Sequence, residues 1–301
     1  MKNKLIEFYH DIIRRQWIIG IADYSDDIEN PDFKPTIKWV KDSLDYSWCA
    51  DPFILSESDT VIHLLVEEFP YDTEKGRITK LVVDKESWRV IDRKVVLELD
   101  THLSFPCYYR ENGKLFIYPE NSASGISTIY EYNETNDTLS KIGALCAHPL
   151  TDAVIYDMQD SKYILSTRNP YDNSNILDIY STDGITSNPK PLQTIRFTEN
   201  VARNAGRPFL CKGKMVRPAQ ISNSGYGEGI VLQEVKYNNG SFEFDELKRL
   251  YSPLEDYAVA FHTMNVFENK YIIFDAQGYK HKHIGPIIDR IVIRLRKLIR
   301  K

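Results

Sequence analysis

The sequence predicts an all-β fold, a five-bladed β-propeller, and three observations carry that prediction. A unit of polar start, apolar stretch, turn and second apolar strand with a polar end recurs five times. Counted from Asp51, Phe105, Asp152, Arg207 and Thr263, the recurrences are 54, 47, 55 and 56 residues apart, a period that suits four short strands plus loops. Further strand-like runs lie between these anchors, with little helical periodicity, which argues against an α/β arrangement. A β-sandwich of irregular repeats is the competing architecture.

Taken in order, the chain opens with Leu5, Phe8, Ile12 and Ile13 at helical spacing, predicting a short helix over about 4–15 that caps the barrel. The first unit runs Asp51-Pro52-Phe53-Ile54, then Val61 to Glu68; the second runs Phe105 to Tyr108, the turn Glu111 to Lys114, then Leu115 to Glu120. The third joins Asp152–Tyr156 to Tyr163–Arg168, and the fourth Arg207–Leu210 to Met215–Gln220 through Lys212-Gly213-Lys214. The fifth is Thr263–Phe267 with Tyr271–Asp275. Additional strands are expected at Thr79–Val83, Arg89–Val96, Thr128–Tyr132, Ile176–Ser181, Ile230–Tyr237 and Phe242–Leu247, the last two joined by the hairpin turn Asn238-Asn239-Gly240. The propeller is thus assigned to 1–279 and a tail helix to 280–301.

The bulk composition agrees with one globular β domain. Of 301 residues, 42% are hydrophobic and 27% charged, and the 19 Tyr, 13 Phe and 4 Trp suit both strands and sugar-facing clefts. The net charge of −5 divides unevenly: Lys280–Lys301 carries eight Lys/Arg against Asp289, a tail of +7 on a body of −12. So acidic a body excludes nucleic acid as a partner, because phosphate binding needs clustered cations. Cys49, Cys107, Cys146 and Cys211 are far apart with no C-x-x-C spacing, so they read as reduced core residues with no metal site. No signal-type leader or run of 18 apolar residues occurs, which predicts a cytoplasmic protein. No cofactor is implied.

In a propeller, the starts of the innermost strands meet at one end of the central channel. Asp51, Asp152, Arg207 and His262 therefore converge, with Glu68, Glu120, Arg168, Arg217 and Gln220 from neighbouring strands. Carboxylates beside Arg and His can bind hydroxyls or raise one another's pKa for acid–base work; equally, each Asp can cap the turn that opens its own strand. Arg207 and Arg217 suit an anionic partner such as a nucleotide sugar's diphosphate, or a salt bridge to Asp152 or Glu120. Ser224 to Gly229 lacks a following Lys-Ser/Thr and is no phosphate loop; it reads as a lip over the pocket. In the tail, Ile287, Ile288, Ile291, Leu295, Leu298 and Ile299 form one side, with Arg290, Arg294, Arg296, Lys297 and Arg300 around the rest. Such a helix fits an anionic membrane surface, a partner protein, or docking on the acidic body.

Several segments form a familiar series: Asp51-Pro52-Phe53, Glu67-Glu68-Phe69, Leu103-Ser104-Phe105-Pro106, Tyr118-Pro119-Glu120, Gly206-Arg207-Pro208, Arg217-Pro218-Ala219-Gln220, Tyr226-Gly227 and His262-Thr263-Met264-Asn265. Over roughly Trp17 to Gly278, the chain resembles the propeller domain at the N-terminus of plant glucosamine inositolphosphorylceramide transferases and its bacterial relatives in surface-polysaccharide gene sets. More distantly it resembles family-43 glycoside hydrolases. That second resemblance implies Asp51 as general base and Asp152 as pKa modulator. The general acid expected in the fourth blade is missing, since Asn204-Ala205-Gly206-Arg207 holds no carboxylate, and an inverting glycosidase needs both acid and base.

Three functions follow as expectations. The first is a carbohydrate-active protein of surface-polysaccharide or glycolipid biosynthesis, such as capsule assembly, acting on a carbohydrate or nucleotide sugar and peripheral on the inner membrane. The second is a glycoside hydrolase whose acid is displaced to Glu120 or Glu68. The third is a non-catalytic glycan-recognition module serving a partner glycosyltransferase, because the plant relatives carry transfer chemistry on a separate domain.

Overall fold

The structure is a computed structural model that describes residues 11–158, 161–168, 170–238 and 240–299, with side chains described as far as 292. Described strands alternate buried and exposed positions or, near the axis, are buried throughout, which is why the apolar runs fold as β. The chain enters through β1 (Arg15–Asp23) and β2 (Ile37–Trp39). The first blade is β3 (Ser47–Glu57), β4 (Val61–Pro70), β5 (Arg77–Asp84) and β6 (Val90–Leu97). The second is β7 (Tyr108–Glu111), β8 (Lys114–Ile117), β9 (Ser127–Asn133) and β10 (Thr138–Cys146). The third is β11 (Thr151–Met158), β12 (Ser161–Thr167), β13 (Ile176–Thr182) and β14 (Lys190–Arg196). The fourth is β15 (Phe209–Cys211), β16 (Lys214–Ile221), β17 (Gly229–Asn238) and β18 (Ser241–Leu250).

The fifth blade is built from both ends of the chain. Its inner strands β19 (Met264–Phe267) and β20 (Tyr271–Tyr279) are completed by β1 and β2, in the order β19-β20-β1-β2. β1 lies antiparallel to β20 in unbroken register from Arg15↔Tyr279 to Asp23↔Tyr271, and this pairing closes the ring. The five-bladed propeller read from the repeat is therefore correct. The helix expected over 4–15 falls mainly outside the described residues, and Arg15 already belongs to β1. The tail folds as α1 (Gly285–Ile299).

Blades stack through large side chains: Phe53 of the first blade meets Phe105 of the second edge to face, with centroids 5.1 Å apart at 88°. Burying such a phenyl contributes about 1.5–3 kcal/mol. All four cysteines are buried and free.

The innermost strands share a device that shapes the channel mouth. Ala50↔Glu67 is followed by Phe53↔Leu65, and Thr151↔Thr167 by Val154↔Leu165, so each inner strand carries one extra residue. The bridge Ser104↔Glu120 and the pair Tyr108↔Ile117 show the same excess in the second blade. Asp51, Phe105 and Asp152 take positive φ of 50°, 43° and 45° at these bulges. Non-glycine residues held there cost of order 1–3 kcal/mol each, and bulges re-aim side chains and amides. The amides so released are tied across blades. Asp51 N–H donates to Asp275 at 2.9 Å, Phe105 N–H to Asp51 at 2.9 Å, and Asn265 binds Pro52 O at 3.0 Å while accepting from Arg207 N–H at 2.9 Å.

Candidate functional site at the channel mouth

Where the bulged strands converge, a cavity of about 300 Å³ opens between aromatic rings and acidic groups. Its aromatic side is Trp17 on β1, Trp48 on β3 and Phe69 on β4. Trp17 stacks on His262 at 4.2 Å, and Trp48 lies nearly parallel to Phe69 at 4.7 Å. Its polar side is Asp51, Glu67, Glu120 and Arg203, with Tyr226 from the loop after β16. That loop is pressed onto the site: Gly227 has φ +56° and a Cβ there would sit 2.5 Å from the His262 Cβ. Close approach also explains Gly206, where a Cβ would lie 2.0 Å from Met264 O.

Asp51 is an acceptor on both oxygens, from Thr263 Oγ1 at 2.5 Å and Phe105 N at 2.9 Å. It therefore lines the cavity and pins three blades at once. His262 Nδ1 lies 2.9 Å from Asp275 and Nε2 3.7 Å from Asp51. Burial alone would lower the imidazole pKa, but the two flanking carboxylates raise it above its ordinary value. Asp51, His262 and Asp275 bring ligand-type atoms within 4.8 Å of one another, as a metal site requires. Yet Asp275 already receives His262 Nδ1 and the amides of His262, Thr263 and Asp51, so a cation would have to displace these donors.

Arg203 organises the opposite side. It grips Asp152 through Nε at 2.6 Å and Nη2 at 3.3 Å, lies 3.5 Å from Glu120 Oε2, and reaches Asn173 at 2.9 Å and Asp172 at 3.4 Å. Its guanidinium stands 5.3 Å over the Tyr226 ring. Glu120 accepts from Ser122 Oγ at 2.8 Å on Oε1, while its buried Oε2 has no hydrogen-bond partner among the described residues. Burial, then the Asp152 charge, push the Glu120 carboxyl up to about 8. Burial and the neighbouring Asp51 likewise raise Glu67 well above the carboxylate range. His102 accepts from Gly76 N–H on Nδ1, so its Nε2 carries the proton that faces Glu67 at 3.3 Å. The mouth thus sets protonated carboxyls beside an acceptor carboxylate, the arrangement that separates acid from base.

The expected site residues divide accordingly. Asp51, Glu120 and His262 line the cavity. Asp152 and Gln220 do not; Asp152 holds Arg203, and Gln220 Nε2 binds Asp152 at 3.1 Å. Glu68 is a correction. Strand alternation turns Glu67 to the channel and the fully buried Glu68 away, to Thr79 at 2.7 Å, Ser47 at 2.9 Å and the half-buried Arg77 and Arg93. Arg217 is also elsewhere, fully buried and bonded to Asn204 at 2.7 Å and Gln233 at 2.6 Å. Arg207 lies over Tyr108 at 4.5 Å, and the exposed Arg168 pairs with Asp178 at 3.0 Å on another surface notch. Arg203, Glu67, Trp17, Trp48, His102 and Asp275 were not anticipated as site residues. Two carried a signal: Glu67 stands beside Glu68 at an acidic strand end, and Asp275 closes the fifth repeat as Glu120 closes the second.

Fold and site define a five-bladed propeller of the architecture that solved glycoside hydrolases have. A β-xylosidase superposes with a TM-score of 0.53 at 11% identity, covering 74% of this chain and 84% of that one. A family-43 β-1,3-galactosidase bound to galactodeoxynojirimycin gives 0.52 at 8% identity, over 70% and 82%. The silkworm Bombyx mori β-fructofuranosidase gives 0.51 at 15%, over 90% and 61%. Residues 29–258 match the family described as glucosamine inositolphosphorylceramide transferase 1, N-terminal, and the chain belongs to that family. It is 24% identical over 201 residues to the rice (Oryza sativa subsp. japonica) glucosamine inositolphosphorylceramide transferase 1, covering 63% of this chain and 26% of the relative. The Arabidopsis thaliana protein of that name is 23% identical over 207 residues, 66% of this chain and 27% of its own. The chain spans about a quarter of the length of these relatives.

Proposed function

We propose that the channel mouth binds a neutral sugar, and that the protein is a carbohydrate-active propeller serving glycan or glycolipid assembly. One observation carries this: a buried Glu120 oxygen that accepts no hydrogen bond, with Arg203 no nearer than 3.5 Å, borders a cavity walled by tryptophan. A sugar offers a hydroxyl to the first and an apolar ring face to the second. A nucleotide sugar's diphosphate is less well served, because Arg203 is already shared among Asp152, Glu120 and Asp172. Titration of monosaccharides into wild type and the Asp51→Asn/Glu120→Gln double variant tests the reading. Binding lost in the variant supports it; equal binding by both, or none, refutes it.

Family membership supports the assembly role, which extends to bacterial surface polysaccharide and capsule as a proposal. The tail supports a membrane position: Ile287 and Ile291 are 59% and 48% exposed along α1 and Ile284, just before it, is 56% exposed, while Asp289 is engaged by Arg15 and Tyr279. No described helix is long and apolar enough to cross a membrane. The proposed contact is peripheral, at the cytoplasmic face, with Arg290 against anionic lipid; the side chains of Arg294, Arg296 and Lys297, and Arg300 as a whole, expected to join it, lie outside the described residues. Flotation with phosphatidylserine vesicles should be lost on deleting 286–301; equal flotation rejects the contact. A second reading, hydrolysis, is favoured by the raised Glu120. Protonated at neutral pH, it can serve as general acid against Asp51. Aryl-glycoside release abolished by Glu120→Gln would establish it, and silence over a broad glycoside panel would reject it in favour of a recognition module beside a partner transferase.

A further inference from the structure

A second cleft, of about 340 Å³, opens beside the mouth. It runs outward between β1 of the closing blade and β3 of the first, reaching Leu81 on β5 and Val90 on β6. Trp17 and Trp48 line both spaces, with their ring centroids 6.2 Å apart at 51°. Each indole is braced by a ring of the mouth, Trp17 by His262 and Trp48 by Phe69. The braced faces fix both rings, and the cleft meets the surface they leave.

Beyond the tryptophans the cleft is mixed in charge. Lys41 and Asp45 are exposed and have no ionic partner among the described residues. Gln16 is oriented by a 2.8 Å bond from its Nε2 to Tyr257 OH, and Arg14 lies 4.5 Å over the Tyr71 ring. Ring surface bordered by donors and acceptors of both signs matches a pyranose, which presents apolar C–H faces and a girdle of hydroxyls. Both spaces are at the lower end of the ~300–1,000 Å³ range of small-molecule sites, so neither alone suits a long glycan.

We infer that mouth and cleft are successive subsites of one glycan site, with the terminal sugar in the mouth and the next sugar in the cleft. The substrate class is then a glycan of two or more residues, held across the Trp17–Trp48 ridge. This rests on the carbohydrate reading of the mouth.

The test titrates xylose and xylobiose, galactose and β-1,3-galactobiose, and N-acetylglucosamine and chitobiose into wild type and Leu44→Trp. Leu44 is half-buried and lines only the cleft, so the larger side chain fills it. The disaccharide of the bound series should bind at least about tenfold more tightly than its monosaccharide. Leu44→Trp should erase that advantage and leave the monosaccharide Kd unchanged. Asp45→Ala, at an exposed position, should reduce the advantage even where the tryptophan variant misfolds. Monosaccharide binding without a disaccharide advantage overturns the second subsite and leaves the mouth reading intact. A variant that weakens both ligands equally also overturns it, and binding of neither ligand class overturns both.

Discussion

Replacing Glu120 by Gln should remove a pH dependence of stability that the wild-type protein carries between about pH 4.5 and 8. Glu120 titrates near 4.5 as a free side chain and near 8 in the folded protein, so the folded state holds its proton where the unfolded chain has released it. The stabilisation is complete below the unfolded value and is lost as pH rises through the folded one. The shift corresponds to roughly 4–5 kcal/mol at about 1.4 kcal/mol per unit. For 301 residues, with an unfolding entropy of about 2.1 cal/mol/K per residue, that is roughly 7 °C in Tm. Gln preserves the acceptor for Ser122 and mimics the protonated acid. Wild type and variant should therefore melt together near pH 4.5, and the variant should melt roughly 7 °C higher by pH 8 to 9. Other buried acids, Glu67 among them, act in both proteins and largely cancel in the difference. Scanning calorimetry at half-unit steps reads it directly. Parallel Tm–pH curves, or a gap that widens toward acid, would refute a proton held by burial beside Asp152.

Arg203→Met should cost about 3–5 kcal/mol in urea unfolding, because it leaves Asp152 buried without its cation; a loss under about 1 kcal/mol would mean that Asp152 is otherwise satisfied. Glu68→Gln should destabilise by a comparable order while leaving sugar binding unchanged, since Arg77 and Arg93 lose their shared partner; altered sugar affinity at constant fold would return Glu68 to the site. Gly227→Ala should cost about 1–3 kcal/mol from the left-handed backbone and weaken ligand binding by pushing on His262, and unchanged binding would show that the lip moves freely. His262 should titrate above 6.5 by NMR, its contribution to stability present below the unfolded value and lost as pH rises through the folded one; a lower value would mean that burial outweighs Asp275 and Asp51.

The inner two strands of every blade were readable because polar starts and apolar runs repeat through the chain. β1 and β2 were not: the apolar residues of β1 continue directly from a helix-like spacing, and β2 is only three residues long. A clue was present: the fifth repeat offers only Thr263–Phe267 and Tyr271–Asp275 before the basic tail, so two strands had to come from elsewhere. For the site, strand starts correctly brought Asp51 and His262 together. Pattern alone did not say which of Glu67 and Glu68 faces the channel, because the bulge at Asp51 changes the register between β3 and β4. Nor did it mark Arg203, whose importance arises from reaching Asp152, Glu120 and Asp172 at once. Arg207 and Arg217 had equal sequence claims and are consumed by Tyr108 and by Asn204 with Gln233.

Joining β1 to β20 has a consequence for when the protein acquires its properties during synthesis. Trp17 is made before blades one to four and Asp275 after them, and both contact His262. Blades one to four can form on the ribosome, but the wall, the imidazole and its carboxylate partner meet only when the ring shuts. A chain stopped before β20 therefore lacks both the β1 pairing and the His262–Asp275 contact, and the proposed sugar site forms only once β20 has been made.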